Sequence, residues 1–250
     1  MSYGMYLSAA GADVQSARLQ VLSNNLANAD TPGFKREFAI LQARHAEAIE
    51  RGEVTPGQRG IDDIGGGVQL SETVTDFSTG AVRDTGNKTD LAIAGDGFFL
   101  VEKAGEPLLT RAGNFHFSTT GQLQSEQGYP VMSLEGGPIE IDLLQPWAFT
   151  DSGGVEQGGN VQSLALVQPA SRGDLVKAGE NMFSPLADVA PVPVADRNVK
   201  SGYLEQSTVK PAIEMMELIE TSRAYEANIR MIQSQDQMVG SLVNRVLRQS

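Results

Sequence analysis

Leu7, Ala10, Val14, Ala17 and Val21 recur at alternating spacings of three and four, the signature of a helix with one apolar seam. Asn24 and Asn28 continue the same register. A polar residue on such a seam costs stability but can fix register between helices, and an Asn near a helix end can take the left-handed cap geometry. Pro32 then drives Thr31 out of helical space and Gly33 permits a turn, so the pattern predicts a helix that stops at Thr31-Pro32-Gly33.

The last segment repeats the pattern over a longer span. Met215, Leu218, Ser222, Tyr225, Ile229, Ile232, Asp236, Val239, Val243 and Val246 keep the three/four alternation, with only Ser222 and Asp236 polar. Such a helix is roughly 45 Å long. Ser207 or Thr208 can cap its start, and Pro211 is tolerable only in a first turn. A single narrow seam on so long a helix needs partner helices, either inside the monomer or from other subunits.

Between the helices the period changes to two. Leu91 to Ile93 and Phe98 to Val101 flank Gly95-Asp96-Gly97, which predicts a hairpin. Leu108 to Thr110, Phe115 to Phe117, Gln122 to Gln124 and Tyr129 to Met132 continue as a meander, with further strands expected at Ile139 to Leu143 and Ser163 to Val167. Glycine-rich breaks fall at 153–159, and Pro191 and Pro193 mark an extended linker. The expected class is α+β: terminal heptad helices forming a helical, coiled-coil-like domain around a β-rich middle. The divisions are 1–36, an N-terminal helix and turn; 37–75, a flexible connector containing Gly65-Gly66-Gly67; 76–200, the β-rich middle; and 201–250, the C-terminal helix.

Charge narrows the choice of partners. Acidic residues number 31 against 19 basic, a formal net charge of -12, which disfavours a phosphate backbone as partner. Each terminal stretch of 50 residues carries only -1, so the middle holds the remaining -10, as expected if the ends meet other chains and the middle faces water. There is no cysteine, which removes disulfide and thiolate chemistry. Met1 to Ala12 lacks the basic start and apolar core of a secretory signal, and no run approaches the ~20 apolar residues that span a bilayer.

Catalytic signals are absent from the pattern. His45 and His116 are isolated from each other and from any carboxylate pair, so no metal site is expected. Asp62-Asp63 before the glycine run lacks the Gly-Lys-Ser/Thr ending of a phosphate loop and the spaced oxygens of a calcium loop. Gly95-Asp96-Gly97 lacks the third glycine of a dinucleotide site. No Gly-x-Ser-x-Gly elbow occurs. The chain is expected to be no enzyme and to need no cofactor.

Three blocks carry a resemblance. They are Ser23 to Asn28 with Thr31, Gly33, Phe34, Lys35 and Arg36; Phe77 to Gly80, Thr85 to Asn87, Asp90 to Phe99 and Thr110 to Phe115; and Gly202 to Glu205 with Glu214 to Asn228, including Arg223 to Glu226. In this order they resemble the bacterial flagellar rod and hook family of axial proteins. One departure is Thr208, where the family pattern has Asn.

The resemblance implies a structural subunit of the basal-body rod, assembling helically with its own copies and with other rod and hook proteins in the periplasm. It also implies export through the flagellar type III apparatus. By the same resemblance the two helices lie side by side, and assembly falls to Leu7, Val14, Val21, Asn24, Asn25, Leu26, Asn28, Gly33, Phe34, Met215, Leu218, Arg223, Tyr225, Asn228, Ile229, Ile232 and Val239. Asn24, Asn25 and Asn28 would satisfy polar groups between subunits. The rival readings are a carbohydrate-binding or enzymatic β domain with helical oligomerisation ends, which requires a pocket of convergent polar groups, and a secreted adhesin-like module.

Overall fold

The computed structural model describes residues 3–44 and 65–247. His45 and Asp62-Asp63 lie outside the described residues. The chain divides into two compact units, one of residues 1–27, 37–76 and 210–250, the other of residues 28–36 and 77–209.

The first unit holds the helix α1 (Tyr3–Ala27), the strands β1 (Glu37–Arg44) and β2 (Gly67–Thr75), and the helix α2 (Pro211–Leu247). Both terminal helices therefore form where the three/four alternation places them, and the class is α+β. The start of α2 differs from expectation in its cap. Pro211 is its first residue, and the amides of Ile213 and Glu214 donate to the Lys210 carbonyl. Ser207 Oγ instead accepts from Val209 N, and Thr208 Oγ1 accepts from Arg36 N at 2.9 Å, so neither hydroxyl caps the helix.

Residues 37–44 and 67–75, expected as connector, pair as an antiparallel two-stranded sheet. The pairing was hidden in the sequence by a register shift between Ile40 and Leu41. A bulge exchanges the faces of a strand, so Phe38 opposite Val74 and Leu41 opposite Leu70 fall out of one period-two pattern.

In the second unit the strands are β3 (Val82–Asp84), β4 (Leu91–Ile93), β5 (Phe98–Lys103), β6 (Glu106–Thr110), β7 (His116–Phe117), β8 (Leu123–Gln124), β9 (Trp147–Thr150), β10 (Gly154–Gln157), β11 (Asn160–Ser163), β12 (Leu166–Pro169), β13 (Leu175–Gly179), β14 (Met182–Pro185), β15 (Val189–Pro191), β16 (Val199–Ser201) and β17 (Tyr203–Glu205). Its largest sheet has six strands in the order β13-β14-β6-β5-β12-β15.

Alternation along β5 builds two cores. Phe99 points into one with Leu91, Val101, Phe115 and Leu123, meeting Phe115 edge to face at 5.0 Å. Phe98 points the other way, to Leu109, Val167 and Phe183. That is the period-two reading of a strand buried on both faces.

Several strands pair otherwise than expected. Gly95-Asp96-Gly97 does not close a hairpin: β4 pairs with β16, and β5 with β6 and β12. The Ala94 amide donates to the Asn198 carbonyl, so the chain leaves β4 still held to the segment before β16. Tyr129 to Met132 and Ile139 to Leu143 make isolated bridges only. The expected break at 153–159 contains β10, and Pro191 ends β15, whose pairing with β12 replaces the expected linker.

Candidate functional site

Lys35, Arg111 and Glu205 come from three different sequence blocks and meet in the interior of the second unit. Lys35 Nζ lies 2.6 Å from Glu205 Oε1 and Arg111 Nη1 lies 3.3 Å from Glu205 Oε2. Lys35 and Glu205 are each 1% exposed and Arg111 5%. Further hydrogen bonds surround the cluster: Gly80 N donates to Glu205 Oε1 at 2.7 Å, Lys35 Nζ to the Ser78 carbonyl at 2.7 Å, and Arg111 Nη2 to the Gly95 carbonyl at 2.8 Å, while Arg111 Nε is buried without a partner.

Burial pushes the Arg111 guanidinium below the ordinary arginine value, while the charges of Glu205 and Asp96 act against that shift. One carboxylate thus answers two buried cations. A buried charge persists only when it is paired and hydrogen-bonded.

The Thr31-Pro32-Gly33 turn seats this cluster. Thr31 N donates to the Asn28 carbonyl, and Gly33 N donates to the Glu205 carbonyl at 2.8 Å. Gly33 has φ +67°, and a Cβ there would stand 2.4 Å from the Arg111 carbonyl carbon. Phe34 is buried beneath Lys177, whose Nζ lies 4.2 Å from the ring centroid. Gly33→Ala is expected to destabilise this unit by about 2 kcal/mol, since left-handed geometry costs an L-residue ~1–2 kcal/mol before the clash is relieved. Urea unfolding followed by the fluorescence of Trp147, the only tryptophan, measures it.

In the first unit the two helices meet along a row that the apolar pattern did not show. Asn25 lies against Glu214, Gly11 against Asn228 and Gly4 against Gln235. Each step of seven forward in α1 is matched by a step of seven back in α2, so the helices run antiparallel in a fixed register. Arg18 reaches Glu217 at 3.5 Å beside this row. A Cβ on Gly11 would stand 3.1 Å from the Asn228 amide, so the missing side chain is what lets a polar one cross. The row on α2 is Glu214, Thr221, Asn228 and Gln235, polar at every step.

Asn25 anchors this row and is 0% exposed. Its Nδ2 donates to the Glu37 carbonyl at 2.9 Å and to Glu214 Oε2 at 3.2 Å, while its Oδ1 accepts from Glu37 N at 3.0 Å. The side-chain amide behaves as one more strand residue against the start of β1. Glu214 also sits in the first turn of α2, where a carboxylate is favoured by the helix dipole.

The seventeen residues expected to serve assembly therefore separate. Asn25, Gly33, Phe34 and Val14 are interior, and Asn25 satisfies polar groups inside the chain. Leu7 approaches Gly67 of β2, and Asn228 meets Gly11. Val21, Leu26, Leu218, Tyr225, Ile229 and Ile232 are half-buried, Asn28 is half-buried and accepts from Thr31 Oγ1, and Asn24, Arg223, Met215 and Val239 are exposed. The expected seam is thus only partly what joins the two helices. Lys35, Arg111 and Glu205 were quoted in the sequence only as motif letters; no spacing links positions so far apart.

Comparison with known proteins gives the same blocks. A model described as "Flagella basal body rod protein" matches residues 5–35, the "Flagellar hook protein FlgE/F/G D1 domain" matches 92–163, and the "Flagellar basal body rod FlgEFG protein C-terminal" matches 200–245. The chain is similar to the flagellar basal-body rod protein FlgF of Caulobacter vibrioides, 34% identical over 230 residues covering 91% of each chain. It belongs to the flagellar basal-body rod family.

Two further rod-family relatives match almost end to end. FlgG of Bacillus subtilis is 30% identical over 98% of this chain and 99% of its own, and FlgG of Agrobacterium fabrum 33% identical over 97% and 98%. Each of the three matched segments contributes one member of the buried cluster: Lys35 is at the end of the first, Arg111 in the second and Glu205 in the third. In this rod-family chain the motif letters encode a folded junction. Among the described residues no group of His, Asp and Glu could hold a metal, and no helix is long and apolar enough to cross a membrane.

Proposed function

We infer that this chain is a structural, non-catalytic subunit of the bacterial flagellar basal-body rod. The observation that carries the reading is the family membership over nearly the whole chain, reinforced by the convergence of its three motif blocks on Lys35, Arg111 and Glu205. On this reading copies assemble helically with one another and with other rod and hook proteins, after delivery by the flagellar export apparatus. The product is a shaft that carries torque to the hook.

The coiled-coil-like packing suggested by the heptads belongs, in this proposal, between subunits. Exposed apolar side chains on α2, among them Met215, Ile219, Met231 and Met238, support it, because a rod supplies neighbouring helices that a lone chain lacks. Residues 1–36 and 201–250 serve assembly, 76–200 form the β-rich module, and 37–75 join them.

Deleting the chain is expected to abolish swimming in the source bacterium while leaving growth unchanged. Swimming speed in soft agar and by microscopy measures it. Normally motile deletants would overturn the reading.

A further inference from the structure

The row of α2 that faces α1 changes character where α1 ends. In the antiparallel register the first described residue of α1, Tyr3, falls opposite Asp236, so α2 continues through Leu247 beyond the covered stretch. That overhang is about three turns, roughly 16 Å. Glu214, Thr221, Asn228 and Gln235 are succeeded at the next step of seven by Leu242, flanked by Val239 and Val243. Leu242 is 60% exposed, and both valines are exposed.

The same unit carries an apolar recess. A cleft of about 350 Å³ opens between α1 and β2, lined by Ala9, Ala10, Val14, Val68 and Leu70, with Asp13 as its charged residue. The charges match: residues 237–250 carry Arg245 and Arg248 and no acidic side chain. An apolar ridge continuous with the helix-pair face and an apolar cleft of opposite charge thus sit on one polypeptide.

We propose that the α2 overhang of one copy, through Val239, Leu242 and Val243, docks in the α1–β2 cleft of a second copy, with Arg245 approaching Asp13. The proposal rests on the rod reading and specifies the contact through which copies join. A patch that fits a pocket elsewhere on the same molecule makes a head-to-tail contact, which leaves one cleft and one ridge open after every addition. Such a contact lets copies add end to end into an open helical assembly.

The test uses full-length protein in three forms: wild type, Leu242→Asp and Leu70→Asp, with Trp147 fluorescence and circular dichroism checking that the units are folded. Both replaced residues are on the surface. Sedimentation velocity is expected to show concentration-dependent oligomers for the wild type and at least ~10-fold weaker association for each variant, since the ridge or the cleft would have to bury a charge.

An equimolar mixture of the two variants gives the decisive reading. Leu242→Asp keeps an intact cleft and Leu70→Asp an intact ridge, so the mixture is expected to form dimers and nothing larger. A mixture that stays monomeric while the wild type associates overturns the proposal, as does a wild type that stays monomeric to millimolar concentration. If residues 45–64 or a different protein fill the cleft, Leu70→Asp leaves self-association unchanged, which also overturns it. Wild-type association that ignores both substitutions removes this interface and leaves the rod reading standing; a motile deletion strain removes the rod reading whatever sedimentation shows.

Discussion

Glu205→Ala is expected to remove about 3–5 kcal/mol from the stability of the β-rich unit, the cost of leaving buried charge without its partner. The carboxylate accepts from Lys35, Gly80 and Arg111 at 2.6, 2.7 and 3.3 Å in a site almost closed to water. Without it two cations face each other across a gap too confined to hydrate them well. Urea unfolding monitored at Trp147 reads the loss as a fall in midpoint.

Lys103 and Glu180 supply the internal control. Their charges are 2.9 Å apart, close to the Lys35–Glu205 distance, but both side chains are about two-fifths exposed. The hydrogen bond to Glu180, then that to Tyr129, raises the Lys103 value, and the hydrogen bond to Lys103 lowers that of Glu180. Water already solvates such a pair, so Glu180→Ala is expected to move the midpoint little. Burial, and not distance, decides between the two sites. If Glu205→Ala behaved like Glu180→Ala, the cluster would have to be hydrated in solution. Lys35→Met combined with Glu205→Gln should cost less than the sum of the single changes, because the two groups share one interaction.

The terminal helices were legible because their apolar residues repeat over many turns, and so was the β-rich middle, whose strands alternate between two cores. What period cannot reveal is which face meets which. The apolar row on α2 drew attention to Met215, Ile229 and Val239, whereas the contact with α1 runs through Glu214, Asn228 and Gln235. That contact depends on Gly4 and Gly11, and a missing side chain leaves no mark in a hydrophobic pattern. The β1–β2 pair was lost to a single bulge, and the Gly95-Asp96-Gly97 turn was misread because a two-strand signal does not say that each strand has another partner. Lys35, Arg111 and Glu205 are the clearest case: three charged letters scattered over the chain acquire a common meaning only when the fold brings them within 3.3 Å.

Amide hydrogen exchange on dilute full-length monomer is expected to be faster by orders of magnitude in α1 and α2 than in β5 and β6. Exchange protection follows the free energy of local opening, which is small where few apolar groups are buried. Among the described side chains of α2 none of the apolar ones is buried, and α1 buries only Ala12, Val14 and Leu22 of its apolar residues. The polar row between them includes the Asn25–Glu214 hydrogen bond, which contributes about 1–3 kcal/mol net of the water it replaces, and Thr221 Oγ1 is buried there without a partner. Helices take most of their stability in proteins from packing an apolar face, so a pair that buries so few apolar side chains opens readily. The β-rich unit is different, since Phe99, Val101 and Leu109 are fully enclosed. In an assembled rod the exposed row of α2 would meet other chains, and the same amides should then become protected. On the proposed rod reading the cost of ordering the helices would be incurred at the growing end, which would keep association weak elsewhere. Slow exchange over residues 5–27 and 212–236 in a verified monomer, matching that of β5 and β6, would show that the polar row alone holds the helices, and the coupling of folding to assembly would be wrong.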